Sequence, residues 1–114
     1  MRLVTFTQTN APTPRIGVLT GENIVDLSKA APSLPTDMIG LIAGGDDALA
    51  IARAATGSLI KLSDVTLLSP VLNPQKILAA GLNYKDHLAE LHQINPDFPQ
   101  PAVPIIFNKQ STSV

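Results

Sequence analysis

Residues 76–94 read KILAAGLNYKDHLAELHQI, and this stretch predicts a buried strand followed directly by a helix. The continuous apolar run in residues 76–83 is typical of a buried strand. Residues 84–94 space their leucines as one side of a helix does, among charged residues, and Asn83 is a residue type that often caps a helix start. The stretch therefore predicts a β–α unit.

The flanking segments extend this unit by one strand. Residues 95–104 hold four prolines and predict a loop, and residues 105–109 (IIFNK) predict a second strand. On the other side, Pro70 and Pro74 bracket a short connector, where we place a domain boundary. One strand, one helix and one strand in residues 71–114 are too few elements to bury a core. Either this segment packs on the residues before it, or part of its domain lies outside the chain.

The first part of the chain predicts a small antiparallel sheet. Residues 2–7 (RLVTFT) alternate polar and apolar side chains as a half-buried strand does, and residues 10–14 form a turn cluster rich in proline. Two further β-type runs, residues 15–20 and 23–27, meet at the pair Gly21-Glu22, which is a hairpin signal.

Two short helices and one more strand are expected before the boundary. Thr36 and Asp46 are residue types that cap helices, and each precedes a stretch with helical spacing. We expect these helices to end at glycines, Gly44 with Gly45 for the first and Gly57 for the second. Residues 64–68 (DVTLL) predict a strand. The fold class is therefore α+β, with a mostly antiparallel domain of residues 1–70 that carries two short helices.

Composition narrows the possible functions. The chain has 114 residues, 45% of them apolar and 15% charged, so a packed globular core is expected. Its net charge is −1 with scattered cations, which argues against nucleic-acid binding. It contains no cysteine, which excludes disulfides and thiolate metal sites. No stretch has the length of a signal peptide's apolar region or of a membrane span, so we expect a cytoplasmic protein without membrane contacts.

The candidate chemistry lies on the helix of residues 84–94. His87 and Glu90 are three positions apart and therefore share one helix face. A carboxylate beside an imidazole favours its protonated form and fixes its tautomer, so the pair can take a proton and return it. Leu88 and Leu91 fall on another sector, suited to anchoring the helix. From spacing alone, an exposed ion pair on a solvated helix is the simpler interpretation.

The residues around this pair resemble a known family. Residues 74–90 (PQKILAAGLNYKDHLAE) are similar to the opening of the fumarylacetoacetate hydrolase catalytic domain, which shows Gly-x-Asn-Tyr-x-x-His-x-x-Glu after a strand. The family's next run, Pro-x-x-Phe-x-Lys, is matched by residues 104–109. The first seventy or so residues resemble the small domain that precedes the catalytic domain in many bacterial members. The resemblance thus covers the whole chain and implies that residues 71–114 are the truncated beginning of a β-rich catalytic domain.

The resemblance implies an activity and roles for particular residues. The family cleaves or rearranges 2-oxo and 1,3-dioxo acids, by hydrolysis, decarboxylation or hydration, with Mg²⁺ or Mn²⁺ (Ca²⁺ is possible) as a Lewis acid. By this likeness, His87 with Glu90 activates water and Lys109 offsets oxyanion charge. The substrate is expected to contact the four residues that precede the helix interior, namely Gly81, Leu82, Asn83 and Tyr84.

The metal ligands of the family are not expected in this chain. The family holds its metal with a Glu-x-Glu pair and a later Asp, all beyond the position equivalent to residue 114. This sequence has only Glu22 and Glu90, and no Glu-x-Glu. A hard cation needs several oxygen ligands together. The 114 residues alone are therefore predicted to bind no catalytic metal and to turn over no substrate.

Other residues have simpler interpretations, and a second function class stays open. His92, five positions after His87, is expected in solvent, Asp86 suits a first helical turn, and residues 95–104 are either a connector or part of a lid over the ligand. The alternative function is a non-catalytic α+β module for dimerisation or partner binding, which pairing of strand 105–109 with another chain would favour. The family is commonly dimeric, so we expect a homodimer.

Overall fold

The computed structural model describes residues 1–81, 85–97, 99 and 103–110, and for residues 85–87 it describes the backbone alone. Within these residues the chain divides into two compact units, Met1–Leu72 and Asn73–Val114. No helix in this described part is both long and apolar enough to cross a membrane. Each unit has its own sheet, so each is described by itself.

The first unit begins with three consecutive antiparallel strands. They are β1 (Arg2–Gln8), β2 (Ala11–Thr20) and β3 (Asn23–Asp26). The hairpin predicted at Gly21-Glu22 is confirmed, because Thr20 pairs with Asn23 across that two-residue turn. Gly21 has a φ of 58°, a left-handed conformation that a glycine adopts without steric cost.

The predicted turn over residues 10–14 is wrong at its far end, because β2 already starts at Ala11. Gln8 pairs with Ala11 and Phe6 with Arg15, so three residues of β2 face one residue of β1. This irregularity contains the two prolines of the segment, Pro12 and Pro14. Proline has no N–H to donate, and a bulge is where a strand tolerates it. The turn is therefore shorter than the prolines suggested.

Two short strands complete this sheet, in the order β4-β3-β2-β1-β5. The predicted strand at residues 64–68 is β5 (Thr66–Leu68), which pairs with β1, and β4 (Leu59–Lys61) pairs with β3. The Thr5 hydroxyl donates to the Pro70 carbonyl at 2.7 Å beyond the end of β5. Sequence reasoning missed β4, because three residues show no periodicity.

Three helices lie in the first unit: α1 (Leu27–Ala30), α2 (Met38–Ala43) and α3 (Gly45–Ala54). The predicted cap of α2 at Thr36 is wrong by one residue, because Asp37 is the cap and accepts from the Gly40 amide at 2.9 Å. The predicted cap of α3 at Asp46 is also wrong. Asp46 lies inside the first turn, where a carboxylate interacts favourably with the helix dipole.

The end of α3 also differs from the prediction. The helix stops at Ala54, and Gly57 lies in the loop beyond it with a φ of 80°. Ser58 follows with a φ of 46°, an unusual conformation for a residue other than glycine. Its carbonyl accepts from the Asp26 amide at 3.2 Å. Gly57 therefore lies in the loop between α3 and β4 and does not end the helix.

The core of the first unit is almost entirely aliphatic, as the composition indicated. The helices and one sheet face enclose a cluster of buried side chains, to which β2 and β3 contribute Ile16, Val18 and Val25, α1 and the segment after it contribute Leu27, Ala31 and Leu34, and α2 with α3 contribute Met38, Leu41, Ala48 and Ala52. Phe6 and Ile24 are also fully buried. Gly17 lies between them, since a Cβ there would stand 2.4 Å from Ile24 Cγ2 and 3.1 Å from the Phe6 ring.

A buried ion pair connects several segments of this unit. Arg15 Nη1 donates to Asp26 Oδ2 at 2.8 Å, and the Asp26 side chain is completely buried. The other carboxylate oxygen accepts from the Ser28 amide at 3.1 Å and from the Ser28 hydroxyl at 2.6 Å, which caps α1. The Arg15 guanidinium also lies 5.1 Å from the centre of the Phe6 ring. Asp26 therefore ends β3 and starts α1 with its charge fully paired.

The second unit contains β6 (Ile77–Gly81), α4 (Lys85–Ile94) and β7 (Ile105–Lys109). The predicted strand, helix and strand are thus present, although Asn83 and Tyr84 lie outside the described residues. The prediction that β6 is buried is wrong, because Leu78 is 66% exposed. The described residues of this unit form only a two-stranded antiparallel sheet. A sheet of two strands needs another layer to bury its apolar face.

The α+β fold class is confirmed. The sheets are antiparallel throughout the described residues, and four helices accompany them. The finer assignment of residues 71–114 to the start of a catalytic domain stays a prediction.

Candidate functional site

Helix α4 carries the predicted acid–base pair. It spans Lys85–Ile94, so His87 and Glu90 are one helical turn apart in its backbone. Glu90 is exposed, whereas Leu88 and Leu91 are partly buried, in keeping with a separate anchoring sector. The His87 side chain lies outside the described residues, so its distance to Glu90 stays a prediction. His92 is exposed, as predicted.

Gly81 is the last residue of β6, directly before the predicted substrate-binding segment. The other three residues of that segment, Leu82, Asn83 and Tyr84, lie outside the described residues. A Cβ added at Gly81 would meet Ile105 Cγ2 and the Phe107 ring at 3.6 Å, which is an ordinary contact distance. The backbone of β6 therefore does not require glycine here, and the bare α-carbon leaves space beside two apolar side chains.

Lys109 lies at the other end of the same ribbon. It pairs with Ile77, whereas Gly81 pairs with Ile105. Four residue steps of a strand separate the two ends, which is about 13 Å. Lys109 is exposed, and paired residues of an antiparallel ladder share a face, as do alternate residues of one strand. Gly81 and Lys109 thus lie on one face of the ribbon, at opposite ends, and their joint role at a single site stays a prediction.

The described residues do not offer a metal centre. No three histidine, cysteine, aspartate or glutamate side chains among them lie together in a way that could hold an ion. Asp46 and Asp47, the adjacent acidic pair, occupy the first turn of α3. Glu22 is exposed in the turn between β2 and β3. The donor set in this part of the chain therefore does not fit a Mg²⁺ or Mn²⁺ ion, which needs several oxygens together.

Sequence reasoning missed two features of the surface. One is an open depression of about 680 Å³ in the first unit, lined by Glu22, Asn23, Lys61, Leu62 and Ser63. It depends on the pairing of β4 with β3, which no local pattern revealed. The other is the apolar face between Gly81 and Lys109, which contains Ile105 and Phe107. The sequence contains these apolar residues, but only the register of β7 against β6 shows that they share a face with Gly81.

The chain resembles several curated proteins along its whole length, although no family model matches it. It is 41% identical over 119 aligned residues to the mitochondrial oxaloacetate tautomerase fahd2 of Xenopus laevis, covering 100% of this chain and 36% of that protein. It is 33% identical, with the same coverage, to the fumarylacetoacetate hydrolase domain-containing protein 2 of Pongo abelii. It is 42% identical over 87 residues to the maleylpyruvate hydrolase of Aquipseudomonas alcaligenes, covering 68% of this chain and 30% of that protein.

A solved structure shows the same likeness. A crystal structure described as an HpcE protein from Mycobacterium smegmatis matches with a TM-score of 0.70 and 30% identity, covering 98% of this chain and 37% of that one. The chain thus spans little more than a third of the length of the relatives that match it throughout. The family expected from residues 74–90 and 104–109 is the one that these relatives share. The chain belongs to the fumarylacetoacetate hydrolase family.

Proposed function

We propose that this chain forms part of an enzyme that converts small oxo acids and that α4 supplies its acid–base group. The relatives named above support this, since one is an oxaloacetate tautomerase and another a maleylpyruvate hydrolase. Both named substrates are 2-oxo acids with an acidic C–H next to the keto group. The proposed reaction is therefore proton transfer at that carbon, alone in a tautomerisation or together with water attack in a C–C hydrolysis.

The observation that carries the proposal is the helical backbone from Lys85 to Ile94, which places His87 and Glu90 one turn apart. In the proposed step, His87 takes the proton from the substrate carbon or from water, and Glu90 stabilises the resulting imidazolium. In tautomerisation, His87 breaks the C–H bond, its electron pair moves to the keto oxygen, and His87 returns the proton to that oxygen to give the enol. In C–C hydrolysis, His87 takes a proton from water as the water oxygen bonds to the distal carbonyl carbon. The C–C bond then breaks, its electron pair forms the enolate of the 2-oxo acid, and His87 returns the proton to the enolate carbon.

Lys109 and the residues around Gly81 are the proposed binding groups. An ammonium group at Lys109 attracts a substrate carboxylate or the negative oxygen that develops during the reaction. Gly81, Leu82, Asn83 and Tyr84 are proposed to contact the substrate, because they connect β6 to α4 in the sequence.

In the complete protein we further propose a homodimer in which residues 1–70 form an N-terminal domain and residues 71–114 begin the catalytic domain.

A divalent metal is also part of the proposal, as the family resemblance implies. Bound Mg²⁺, Mn²⁺ or Ca²⁺ would act as a Lewis acid on the oxo acid. The described residues do not fit such an ion, so its ligands are proposed to come from outside this chain. Dialysis of the complete enzyme against a chelator should abolish turnover, and added Mg²⁺ or Mn²⁺ should restore it. Full activity after exhaustive chelation would contradict metal dependence.

Substitution of the acid–base pair tests the main proposal. In the complete enzyme, His87→Ala and Glu90→Gln are expected to lower kcat for oxaloacetate tautomerisation or maleylpyruvate hydrolysis by about 10²–10⁴-fold, the usual contribution of a general acid–base group. The melting temperature of the Glu90→Gln enzyme should hardly change, because Glu90 is exposed. His92→Ala, on the same helix, is the matched control and should retain activity. Wild-type turnover in the His87→Ala enzyme would refute the proposed role.

The isolated chain offers a second test. We propose that these 114 residues alone bind no catalytic metal and turn over nothing. Calorimetric titration with Mg²⁺ and Mn²⁺ should give no tight site, and neither oxo acid should be consumed. A tight metal site or turnover by the isolated chain would contradict this.

A cytoplasmic location also stays a prediction, and cell fractionation must decide it, because the oxaloacetate tautomerase is named as mitochondrial.

One observation favours the alternative of a dimerisation module. All five residues of β7 are exposed, and Ile106 is 61% exposed on a short apolar strand. An apolar strand at the edge of a sheet pairs readily with a second chain. If assembly were the main function, His87→Ala would leave no catalytic defect to measure, and disruption of β7 would convert a dimer into monomers in sedimentation experiments. Loss of turnover with the dimer intact favours the enzyme.

A further inference from the structure

Helix α2 is apolar on every side. Its six residues, MIGLIA, include no polar or charged side chain. Met38 and Leu41 are 5% and 0% exposed, whereas Ile39 and Ile42 are 48% and 57% exposed. Residues three apart share a helix face, so the two isoleucines lie together on the outward side. A helix that is apolar all round is normally buried all round, and the outward side of α2 therefore lacks its cover.

The neighbouring helix α3 provides a contrast within the same unit. Its buried residues are Ala48 and Ala52, and its exposed side carries the charged residues Asp46, Asp47 and Arg53. This is the ordinary pattern of a helix with one face in water. The apolar outward side of α2 is thus not a general property of the helices in this unit.

The first unit covers α2 on its other sides only. Gly40 is packed against the segment before the helix, since a Cβ added there would stand 2.7 Å from Pro35 Cβ. The last helical residue, Ala43, is exposed beside the two isoleucines. We call Ile39, Ile42 and Ala43 the isoleucine face.

Carboxylates lie at both ends of α2. Asp37 caps its start, and Asp46 and Asp47 follow its end in the first turn of α3. All three are exposed. Residues 30–52 contain these three carboxylates and no lysine or arginine. The surface around the isoleucine face is therefore negative, and it attracts cationic groups and repels anionic ones.

We propose that the isoleucine face docks a segment of the complete protein that lies outside these 114 residues, and that this segment is apolar with lysine or arginine side chains at its border. An occupant from the same protein is favoured because this chain covers only 36% of the Xenopus laevis relative and 37% of the Mycobacterium smegmatis structure. Docking removes the isoleucines from water, and the cations offset the three carboxylates. The contact is independent of the proposed acid–base chemistry, because no residue of α4 takes part in it.

Thiol labelling of the isolated chain and of the complete protein tests this docking. The 114 residues contain no cysteine, so Ile42→Cys introduces one thiol, and Ser63→Cys is the control at an exposed position of the same unit. Each thiol is compared with itself in the two proteins, so a difference in thiol pKa between the two sites cancels. In the complete protein, Ile42→Cys should react with iodoacetamide about tenfold or more slowly than in the isolated chain, and Ser63→Cys at the same rate. Mass spectrometry of the labelled peptides measures both rates.

Two outcomes of the labelling would overturn the proposal. One is an equal rate for Ile42→Cys in the isolated chain and in the complete protein. The other is a slowing that grows with protein concentration, because a second copy would then be the occupant. If Ile42→Cys does not fold, Ile39→Cys on the same face repeats the measurement with the same expected slowing.

Removal or screening of charge tests the chemistry of the docked segment. In the complete protein, Asp46→Asn combined with Asp47→Asn, or about 1 M NaCl, should raise the labelling rate of Ile42→Cys about threefold or more, because a weaker attraction lets the face open more often. The Ser63→Cys rate should not respond. An unchanged Ile42→Cys rate under both conditions would overturn the proposal that the docked segment is cationic.

Discussion

The two units of this chain contain similar apolar runs but bury them to very different extents. In the first unit, Ile16, Leu27 and Leu41 are at most 2% exposed, because helices pack on one face of a five-stranded sheet. In the second unit, Leu78 and Ile106 are 66% and 61% exposed on a ribbon of two strands. Local sequence determines a strand, whereas burial requires a second layer. Because of this difference in burial, we expect the first unit to contribute most of the free energy of folding and the second unit to contact the ligand.

Hydrogen exchange should show the largest contrast between the units. In the 114-residue chain, amides of β1, β2 and β3 are expected to exchange several orders of magnitude more slowly than those of β6 and β7. The reason is that protection follows buried packing, and a two-stranded ribbon is marginally stable by itself. Mass spectrometry of labelled peptides measures both units at once. Equal protection would mean that the exposed ribbon is as stable as the sheet.

Removal of the buried carboxylate tests how the first unit is held together. Asp26→Ala leaves Arg15, which is only 17% exposed, without its partner and also removes the cap of α1. Breaking a buried ion pair in this way costs about 3–5 kcal/mol. Asp64→Ala is the control, because that carboxylate is exposed and should contribute almost nothing. Urea denaturation compares the two, and similar midpoints would contradict the assigned role of Asp26.

The same substitution in a strand of each unit gives a direct comparison. Gly17→Ala places a Cβ 2.4 Å from Ile24 Cγ2 and 2.8 Å from the Val25 carbonyl oxygen, so the sheet must move, at a cost of about 1–3 kcal/mol. Gly81→Ala meets only ordinary contacts and should leave stability almost unchanged. Thermal unfolding of both variants measures the difference. A greater loss from Gly81→Ala would reverse the comparison.

The smallest expected effect concerns the start of α2. Asp37→Ala removes the hydrogen bond to the Gly40 amide and should cost about 1 kcal/mol, the usual contribution of a helix cap. Thr36→Ala, which the sequence alone marked as the cap, should be nearly neutral. Denaturation midpoints of the two variants decide between these neighbours. A larger loss from Thr36→Ala would show that the sequence-based assignment was right.

Much of the secondary structure was predictable from local patterns. The alternation in residues 2–7, the Gly21 turn and the helical spacing after Tyr84 predicted β1, the β2–β3 hairpin and α4. The predicted boundaries were wrong where a neighbouring strand or a single side chain determines where an element begins. The start of β2 depends on its bulge against β1, and the choice of Asp37 over Thr36 depends on which oxygen reaches the Gly40 amide.

For the candidate site, too, some properties follow from the sequence and others only from the tertiary structure. The types and spacing of His87 and Glu90, and the family motif around them, are properties of the sequence itself, because a helix of regular pitch brings residues three apart onto one face. The placement of Gly81 and Lys109 at opposite ends of one apolar face is a property of the β6–β7 register. Sequence determined which groups are present and their local periodicity. Only the tertiary structure decided which of them share a face and which are buried, because pairing and coverage depend on residues far apart in the chain.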